Sequence, residues 1–445
     1  MTTPVPGPVR PPATVRPDDA RRALVAGSVG NFIEWYEFGI YGYFATVIAA
    51  QFFTPEGGSE VEGLVRAYAS FALAFFFRPV GAAVFGRFGD RVGRRPALVV
   101  VVCLMTGATA MIGLLPTYAS IGAAAPWLLT LLRILQGLSA GGEFGGAVSV
   151  MTECAPPGRR GRYGAWQSFT VALGLLAGAA VAVVLASVLT ASQLHGWGWR
   201  VPFLLTLPLG LVALRLRLRL PPDEPPARAP GGRAEGGTGP EGGPRPRPGE
   251  TARAVVLGIG RMMGWSAAGY TFLVVMPSYL QSTLGTTFQQ ALLGTVLANL
   301  GFAASILPAG GLSDRVGRRT VMVAGALLVA VLALPLLHLV QDPGAPGYAK
   351  GAALFAAGAG VGLMAGPGPA MLAEMFPARV RCTGLGLAYA LSNAVFSGCA
   401  GLIITEVVAR TGNVDVPGCY AAATCAASVA ALLTLRGDDH DRALR

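Results

Sequence analysis

The sequence predicts an all-α membrane protein, with twelve transmembrane helices in two pseudo-symmetric six-helix bundles. Three observations predict it. Twelve apolar runs, each of about 20 residues or more and so long enough to cross a hydrocarbon core as a helix, divide the 445 residues. The stretch Gly86-Arg-Phe-Gly-Asp-Arg-Val-Gly-Arg-Arg95 recurs 224 residues later as Gly310-Gly-Leu-Ser-Asp-Arg-Val-Gly-Arg-Arg319, and each copy closes one apolar run and opens another. Such duplication is common where two related membrane bundles enclose a central site. The composition, 53% hydrophobic and 13% charged, is far from the roughly 25% charged of soluble domains.

In chain order, a polar, Pro-rich tail (1–22) precedes the first run and has no small-residue cleavage pattern after it, so a removable signal peptide is not expected. The first bundle, 23–219, holds spans at 23–49, 64–86, 97–116, 125–152, 164–190 and 200–219. The stretch 220–253 is rich in Pro, Gly and Arg and too poor in apolar residues to fold, so a disordered linker is expected. The second bundle, 254–436, holds spans at 254–281, 288–311, 320–340, 350–375, 382–409 and 416–435, and a short tail (437–445) follows. Several spans exceed the minimum, which implies tilt or extension beyond the lipid. A second echo supports duplication: Glu153-Cys-Ala-Pro-Pro-Gly-Arg-Arg-Gly161 after the fourth span resembles Glu374-Met-Phe-Pro-Ala-Arg-Val-Arg-Cys-Thr-Gly384 after the tenth.

The net charge of +11 does not point to nucleic acid. The chain has a single lysine, Lys350, and its arginines cluster between apolar runs: Arg87, Arg91, Arg94, Arg95, Arg159, Arg160, Arg162, Arg315, Arg318, Arg319, Arg379 and Arg381. The opposite loops are nearly free of basic residues, and the first, Thr54-Pro-Glu-Gly-Gly-Ser-Glu-Val-Glu62, is acidic. Cytoplasmic Arg-rich loops with both termini inside, in a cell membrane, follow from the positive-inside bias. Cys103, Cys154, Cys382, Cys399, Cys419 and Cys425 show no Cys-x-x-Cys spacing and read as small packing residues, with no metal or cofactor expected.

Gly-x-x-x-Asp-Arg-x-Gly-Arg-Arg between the second and third of twelve helices resembles the signature loop of the major facilitator superfamily. Gly30-Asn-Phe-Ile-Glu-Trp-Tyr-Glu-Phe-Gly-Ile-Tyr-Gly42, Phe77-Arg-Pro-Val-Gly81, Arg133-Ile-Leu-Gln-Gly-Leu-Ser-Ala-Gly-Gly-Glu-Phe-Gly145 and Trp197-Gly-Trp-Arg-Val-Pro-Phe203 narrow the resemblance to its metabolite:proton symporters. That resemblance implies uptake of an organic acid such as 2-oxoglutarate, citrate or shikimate, or of a zwitterion such as proline or betaine. Position 37 is Glu here where the family usually carries Asp.

An ionisable group in hydrocarbon costs several kcal/mol, so such groups mark function by default. Mid-helix charges fall on helices one (Glu34, Glu37), two (Arg78) and four (Arg133, Glu143), while helices three, six and twelve have none along their interiors and helix nine has only His338 near its outer end. Helices one, two and four are therefore expected to line the pathway, with three, six, nine and twelve against lipid. At 1.5 Å per residue, Glu37 and Arg133 lie roughly 21 and 25 Å from the Arg-rich face, a match in depth. Arg78 is placed to reach Glu34 or Glu143.

Glu34, Glu37, Arg133 and Glu143 form the candidate proton-coupling set, with Glu37 or Glu34 as carrier and Arg133 reporting substrate occupancy; a permanently paired structural bridge is the alternative. Arg78 is the favoured carboxylate clamp, with Arg200 as either a second clamp or an interfacial anchor. Tyr41, Gln136, Gln167, Tyr270, Tyr389 and Asn393 complete the candidate substrate set, the last two sharing a helix face. Thr271, Tyr279, Gln281 and Asn299 are further polar residues of the second half, with Tyr279 read as interfacial belt, and Arg261 is expected to snorkel. Gly358, Gly360, Gly362, Gly366, Pro367, Gly368 and Pro369 suit a bending tenth helix.

The candidate gating set is Gly86, Asp90, Arg91, Gly93, Arg94, Asp314, Arg315, Gly317, Arg318, Glu153 and Glu374. Asp90 is expected to face the start of helix eleven near Thr383–Gly384, and Asp314 the start of helix five near Tyr163–Gly164, where a helix dipole favours an anion. The resemblance links these clasps, completed by Arg91 and Arg315, to the outward-open state.

An enzyme is not expected, since the chain has neither a metal cluster nor a phosphate-binding Gly-Lys-Ser/Thr loop. Helix five, Ser168-Phe-Thr-Val-Ala-Leu-Gly-Leu-Leu-Ala-Gly178, lacks the Pro of drug antiporters, which favours symport; a channel or transceptor shares the topology. The expected partners are a small-molecule substrate with a proton and the lipid bilayer, the chain acting as a monomer.

Overall fold

The computed structural model describes residues 17–219 and 248–435, except 56, 142, 154 and 157. Cys154, much of the expected linker, most of the N-terminal tail and all of the C-terminal tail lie outside the described residues. Those described are helical, with no strand among them.

The segments join end to end into twelve rods. Rod α1 (17–53) consists of Pro17–Tyr43, Ala45–Ile48 and a π-helical turn, Ala49–Phe53. Rods α2 (Glu60–Val92) and α3 (Arg94–Leu114) follow, and α4 (124–153) is Ala124–Ala140 continued by Glu143–Glu153. Rods α5 (Arg160–Val188) and α6 (Ala191–Leu218) end the first half. Rod α7 (248–282) contains a π-helical turn, Thr271–Val275, and α8 (Phe288–Val316) and α9 (Arg318–Gln341) follow it. Rod α10 (Gly347–Met375) breaks at Gly366–Pro367, α11 (378–411) carries another π-helical turn at Asn393–Gly398, as α6 does at Leu194–Gly198, and α12 is Val416–Leu432. Eight rods are long and apolar enough to cross a bilayer by length and composition: α2, α3, α5, α6, α8, α9, α10 and α11.

Glycine sets the packing inside each half, and sets it twice. A Cβ on Gly137 of α4 would collide with the Ala74 carbonyl of α2, and one on Gly141 with the Arg78 carbonyl. In the second half a Cβ on Gly358 of α10 would collide with the Ala298 carbonyl of α8, and one on Gly362 would sit 2.7 Å from the Phe302 carbonyl. Ala74 and Ala298, like Arg78 and Phe302, are 224 residues apart, the spacing of the repeated loop. Both loops turn at a glycine of positive φ, Gly93 at 112° and Gly317 at 89°, where a side chain would be strained.

Rods α1, α2, α4 and α5 face α7, α8, α10 and α11 across the middle, with α5 against α8 and α2 against α11. Rods α3, α6 and α9 turn large apolar side chains outward, among them Met111, Leu114, Leu211, Val212, Leu328 and Val331. The two halves touch at both ends. At the Arg-rich end, Gly145 lies under the Cys382 backbone, and Phe144 stacks on Tyr389 with ring centroids 3.4 Å apart. At the opposite end the Tyr68 and Ser278 hydroxyls are 2.6 Å apart, Thr46 bonds Gln281 at 3.1 Å, and Gly401 seats the Tyr68 ring.

Candidate functional site

Between these closures lies a core of rings and charges. Trp35 and Phe38 from α1, Phe71 and Phe75 from α2, and Tyr270 from α7 pack against one another, with centroids 5.2 to 6.4 Å apart. Two guanidiniums lie on their faces. Arg78 is 4.4 Å from both the Phe38 and Phe75 centroids, and Arg133 is 4.1 Å from Tyr41 and 4.8 Å from Phe71. Arg78 is 2% exposed, Arg133 and Glu37 not at all, and Glu34 8%.

The carboxylates divide between two networks. Arg78 Nη2 pairs with Glu34 Oε1 at 3.1 Å, an ion pair outside good hydrogen-bond geometry. Arg133 does not pair with Glu37 directly, despite their matched depth. Its Nη1 donates to Gln136 Oε1 at 2.6 Å, Gln136 Nε2 to Thr109 Oγ1 at 2.6 Å, and Thr109 Oγ1 to Glu37 Oε2 at 2.9 Å. Rod α3, expected to be only a lipid-facing helix, thus contributes Thr109. Charge-based reasoning missed this residue, although Thr106 and Thr109, three apart in an apolar run, were a visible polar signal.

Several buried donors have no acceptor among the described residues: Arg133 Nε and Nη2, Arg78 Nε and the Tyr270 hydroxyl. The edge formed by Nε and Nη2 is the one through which a guanidinium takes a carboxylate with two bonds. The other expected substrate residues are engaged within the protein. Tyr41 meets the Ser70 hydroxyl at 2.6 Å, Gln167 exchanges bonds with Asn31, and Asn393 donates to the Tyr389 carbonyl and accepts from Ser397. A narrow cleft lined by Asn31, Glu34, Trp35, Arg78, Phe144 and Tyr389 lies beside Glu34.

The remaining arginines resolve by partner. Arg200 donates to the Gly113 and Leu115 carbonyls at 2.8 Å, capping the end of α3, which is an anchor's role. Arg261 donates to Thr434 at 2.8 Å at the end of α12, buried where snorkelling was expected. Tyr279 donates to the Val414 carbonyl at 2.7 Å, and Asn299 bonds Tyr43 at 3.4 Å.

At the Arg-rich end, Asp314 accepts from the backbone N–H of Gly161 at 2.7 Å and of Arg162 at 2.9 Å. That is the first turn of α5, slightly before the expected Tyr163–Gly164. Arg318, rather than the exposed Arg315, completes the clasp: its Nη1 is 2.6 Å from Asp314 and its Nη2 3.1 Å from Glu374. Arg91 is likewise exposed, and Gly86 lies on the exposed face of α2. The side chains of Asp90, Arg94, Glu143, Glu153 and Arg379 lie outside the described residues.

Comparison with known proteins gives two family matches: "Sugar (and other) transporter" over residues 23–223 and "Major Facilitator Superfamily" over 254–444. The alpha-ketoglutarate permease of Escherichia coli K12 is 38% identical, covering 86% of this chain and 87% of its own. The ectoine/proline transporter ProP of Corynebacterium glutamicum is 36% identical (93% and 82%), and the citrate-proton symporter of Klebsiella pneumoniae 34% (89% and 87%). Among solved structures, a D-xylose-proton symporter superposes with a TM-score of 0.71 at 19% identity, over 91% of this chain and 96% of that one; this likeness speaks for the fold alone.

Proposed function

The chain belongs to the metabolite:proton symporters of the major facilitator superfamily, and from that premise we propose that it takes up a small carboxylate-bearing organic acid with a proton, by alternating access. It is a transporter and not an enzyme, a multi-pass membrane protein of the two-bundle fold.

The observation that carries the carboxylate reading is the buried, unfilled Nε–Nη2 edge of Arg133, with Arg78 Nε and the Tyr270 hydroxyl as further unfilled donors. The guanidinium N–H groups only donate and so fit an acceptor-only group, as an ionised carboxylate is, and the Tyr270 hydroxyl is able to donate to it as well. The occluded arrangement, with both ends closed around this set, suits the intermediate of an alternating-access cycle. Glu37 is the proton carrier in this reading, joined to Arg133 through Gln136 and Thr109.

A zwitterion is the second reading, favoured by the aromatic walls around Arg78 and Arg133, which also suit a substrate ammonium. Those ring faces are already covered by the two guanidiniums, so the organic acid is preferred. The Arg-rich loops support a reading with both termini in the cytoplasm.

Uptake into proteoliposomes under an imposed pH gradient, screened over 2-oxoglutarate, citrate, shikimate, proline and betaine, tests the substrate. Accumulation of proline or betaine alone overturns the organic-acid reading. Glu37→Gln is expected to keep substrate counterflow and lose proton-driven accumulation. Unchanged driven uptake removes Glu37 as carrier.

A further inference from the structure

The hydrogen bonds between Arg133 and Glu37 run in one direction. Arg133 can only donate, so Gln136 must turn Oε1 toward it, and Nε2 therefore points at Thr109. Thr109 accepts that bond and has one hydrogen left. Two acceptors lie in reach of it: Glu37 Oε2 at 2.9 Å and the Met105 carbonyl, one turn back on α3, also at 2.9 Å. One hydrogen cannot serve both. Thr109, Gln136, Arg133 and Glu37 are each fully buried, so bulk water does not enter this choice.

We infer that Thr109 is a positioning residue whose hydroxyl switches between Glu37 and the Met105 carbonyl with the protonation of Glu37, and so links proton occupancy to the orientation of Arg133. It rests on Glu37 carrying the proton. While Glu37 is ionised, its charge makes it the stronger acceptor and takes the Thr109 hydrogen. A proton arriving at Oε2 makes that oxygen a donor. The Thr109 oxygen then accepts from Glu37, and its own hydrogen turns to the Met105 carbonyl, a back-bond common for threonine in helices. Thr109 keeps its proton throughout; the transported proton moves only on and off Glu37.

With Glu37 protonated, the Thr109 oxygen serves two donors, and its hold on Gln136 weakens. Gln136 in turn orients the Arg133 guanidinium, whose free edge faces the substrate in the proposed reading. By reciprocity, an anion on that edge changes the affinity of Glu37 for its proton by the same factor as the proton changes anion affinity.

The ionisable groups near this relay are Glu34, Tyr36 and Tyr41 on α1, Arg78 on α2, Arg133 on α4, Arg200 and Arg217 on α6, and Tyr270 on α7. Rod α3 adds Arg95 near its start and the exposed Cys103, and α5 adds Arg160, Arg162 and Tyr163 at its Arg-rich end. Glu143, on the second segment of α4, has its side chain outside the described residues.

Infrared difference spectra of the purified protein, recorded while pH is stepped, read the relay without needing the substrate's identity. The carboxylic C=O band that Glu37→Gln removes belongs to Glu37. Thr109→Val is expected to shift that band upward, through loss of a hydrogen bond, and Thr109→Ser to restore it. In proteoliposomes, with the carried compound found in the screen above (2-oxoglutarate or proline as first probe), Thr109→Val should flatten the pH dependence of KM about tenfold, within the usual range of coupling between sites, and Thr109→Ser should recover it. A Glu37 band and a pH profile that Thr109→Val leaves in place overturn the inference while Glu37 remains the carrier. No band removed by Glu37→Gln at any pH overturns the carrier reading itself, and the inference with it.

Discussion

Arg133 has no exposed surface, and burying an unpaired guanidinium costs several kcal/mol. Ring faces at 4.1 to 5.2 Å and the bond to Gln136 offset part of that cost. Its Nε–Nη2 edge remains unfilled, and in the proposed function a substrate carboxylate would supply the acceptor. Arg133→Lys keeps the charge and loses the fork, so KM for the carried acid should rise about ten- to a hundredfold, from losing one to two charge-assisted bonds. A KM within twofold of the parent shows that the edge is not used. Glu34 has a different task at Arg78. Glu34→Gln leaves that guanidinium buried without its counter-charge and should cost about 3 kcal/mol of stability, read by thermal unfolding in detergent. Removing both, with Glu34→Gln and Arg78→Gln, should recover part of the loss; strict additivity refutes a direct pairing.

At the scale of helices, the glycine contacts set α2 and α4 in register, Gly137 on Ala74 and Gly141 on Arg78, because each backbone rests on its neighbour with no side chain between. Arg78 and Arg133 stand about two turns apart on these rods, and both guanidiniums reach the Phe38 ring. The equivalent α8–α10 contact repeats the geometry with Phe302 and Leu354 at the corresponding places. One architecture thus carries charges in its first copy and apolar packing in its second. Gly137→Ala pushes a methyl into the Ala74 carbonyl and should destabilise by about 1–3 kcal/mol, as overpacking does. Gly358→Ala should cost a similar amount while disturbing uptake less, since no substrate group hangs from α8 there. An equal loss of transport in both, at matched stability, contradicts this division of labour. The duplication was legible in the repeated loops, and the outward apolar faces of α3, α6 and α9 in their lack of interior charge. The π-helical turns in α1, α6, α7 and α11 were not, because a single wide turn leaves the apolar character of a membrane helix unchanged.

For the molecule as a whole, the two ends hold different closures. The Arg-rich end is tied by charge, with Asp314 on the first turn of α5 and Arg318 bridging to Glu374. The other end is tied by hydroxyls and ring packing, Tyr68 with Ser278 and Gly401 beneath Tyr68. Asp314→Asn removes the anion from the helix terminus and should release the Arg-rich end. A Ser168→Cys probe, buried between α5 and α10, should then be alkylated about fivefold faster, for a population shift near 1 kcal/mol. Gly401→Leu should slow the same probe, by opening the far end in preference. Unchanged labelling in both variants removes the clasps as determinants of conformation.

The sequence by itself determined the twelve rods, the duplication, the charged helices and the family, because lipid forces each of these into local composition: apolar length, Arg placement and the scarcity of buried charge. Which charges meet was left to the tertiary structure. Glu37 and Arg133 match in depth along their own axes, but depth says nothing of rotation about those axes, and a threonine and a glutamine came to stand between them. Likewise Arg318 displaced Arg315 from the clasp, since only one of the two points inward once α8 packs on α5. Side-chain direction is set by neighbours distant in the chain, and a one-dimensional pattern carries no record of them.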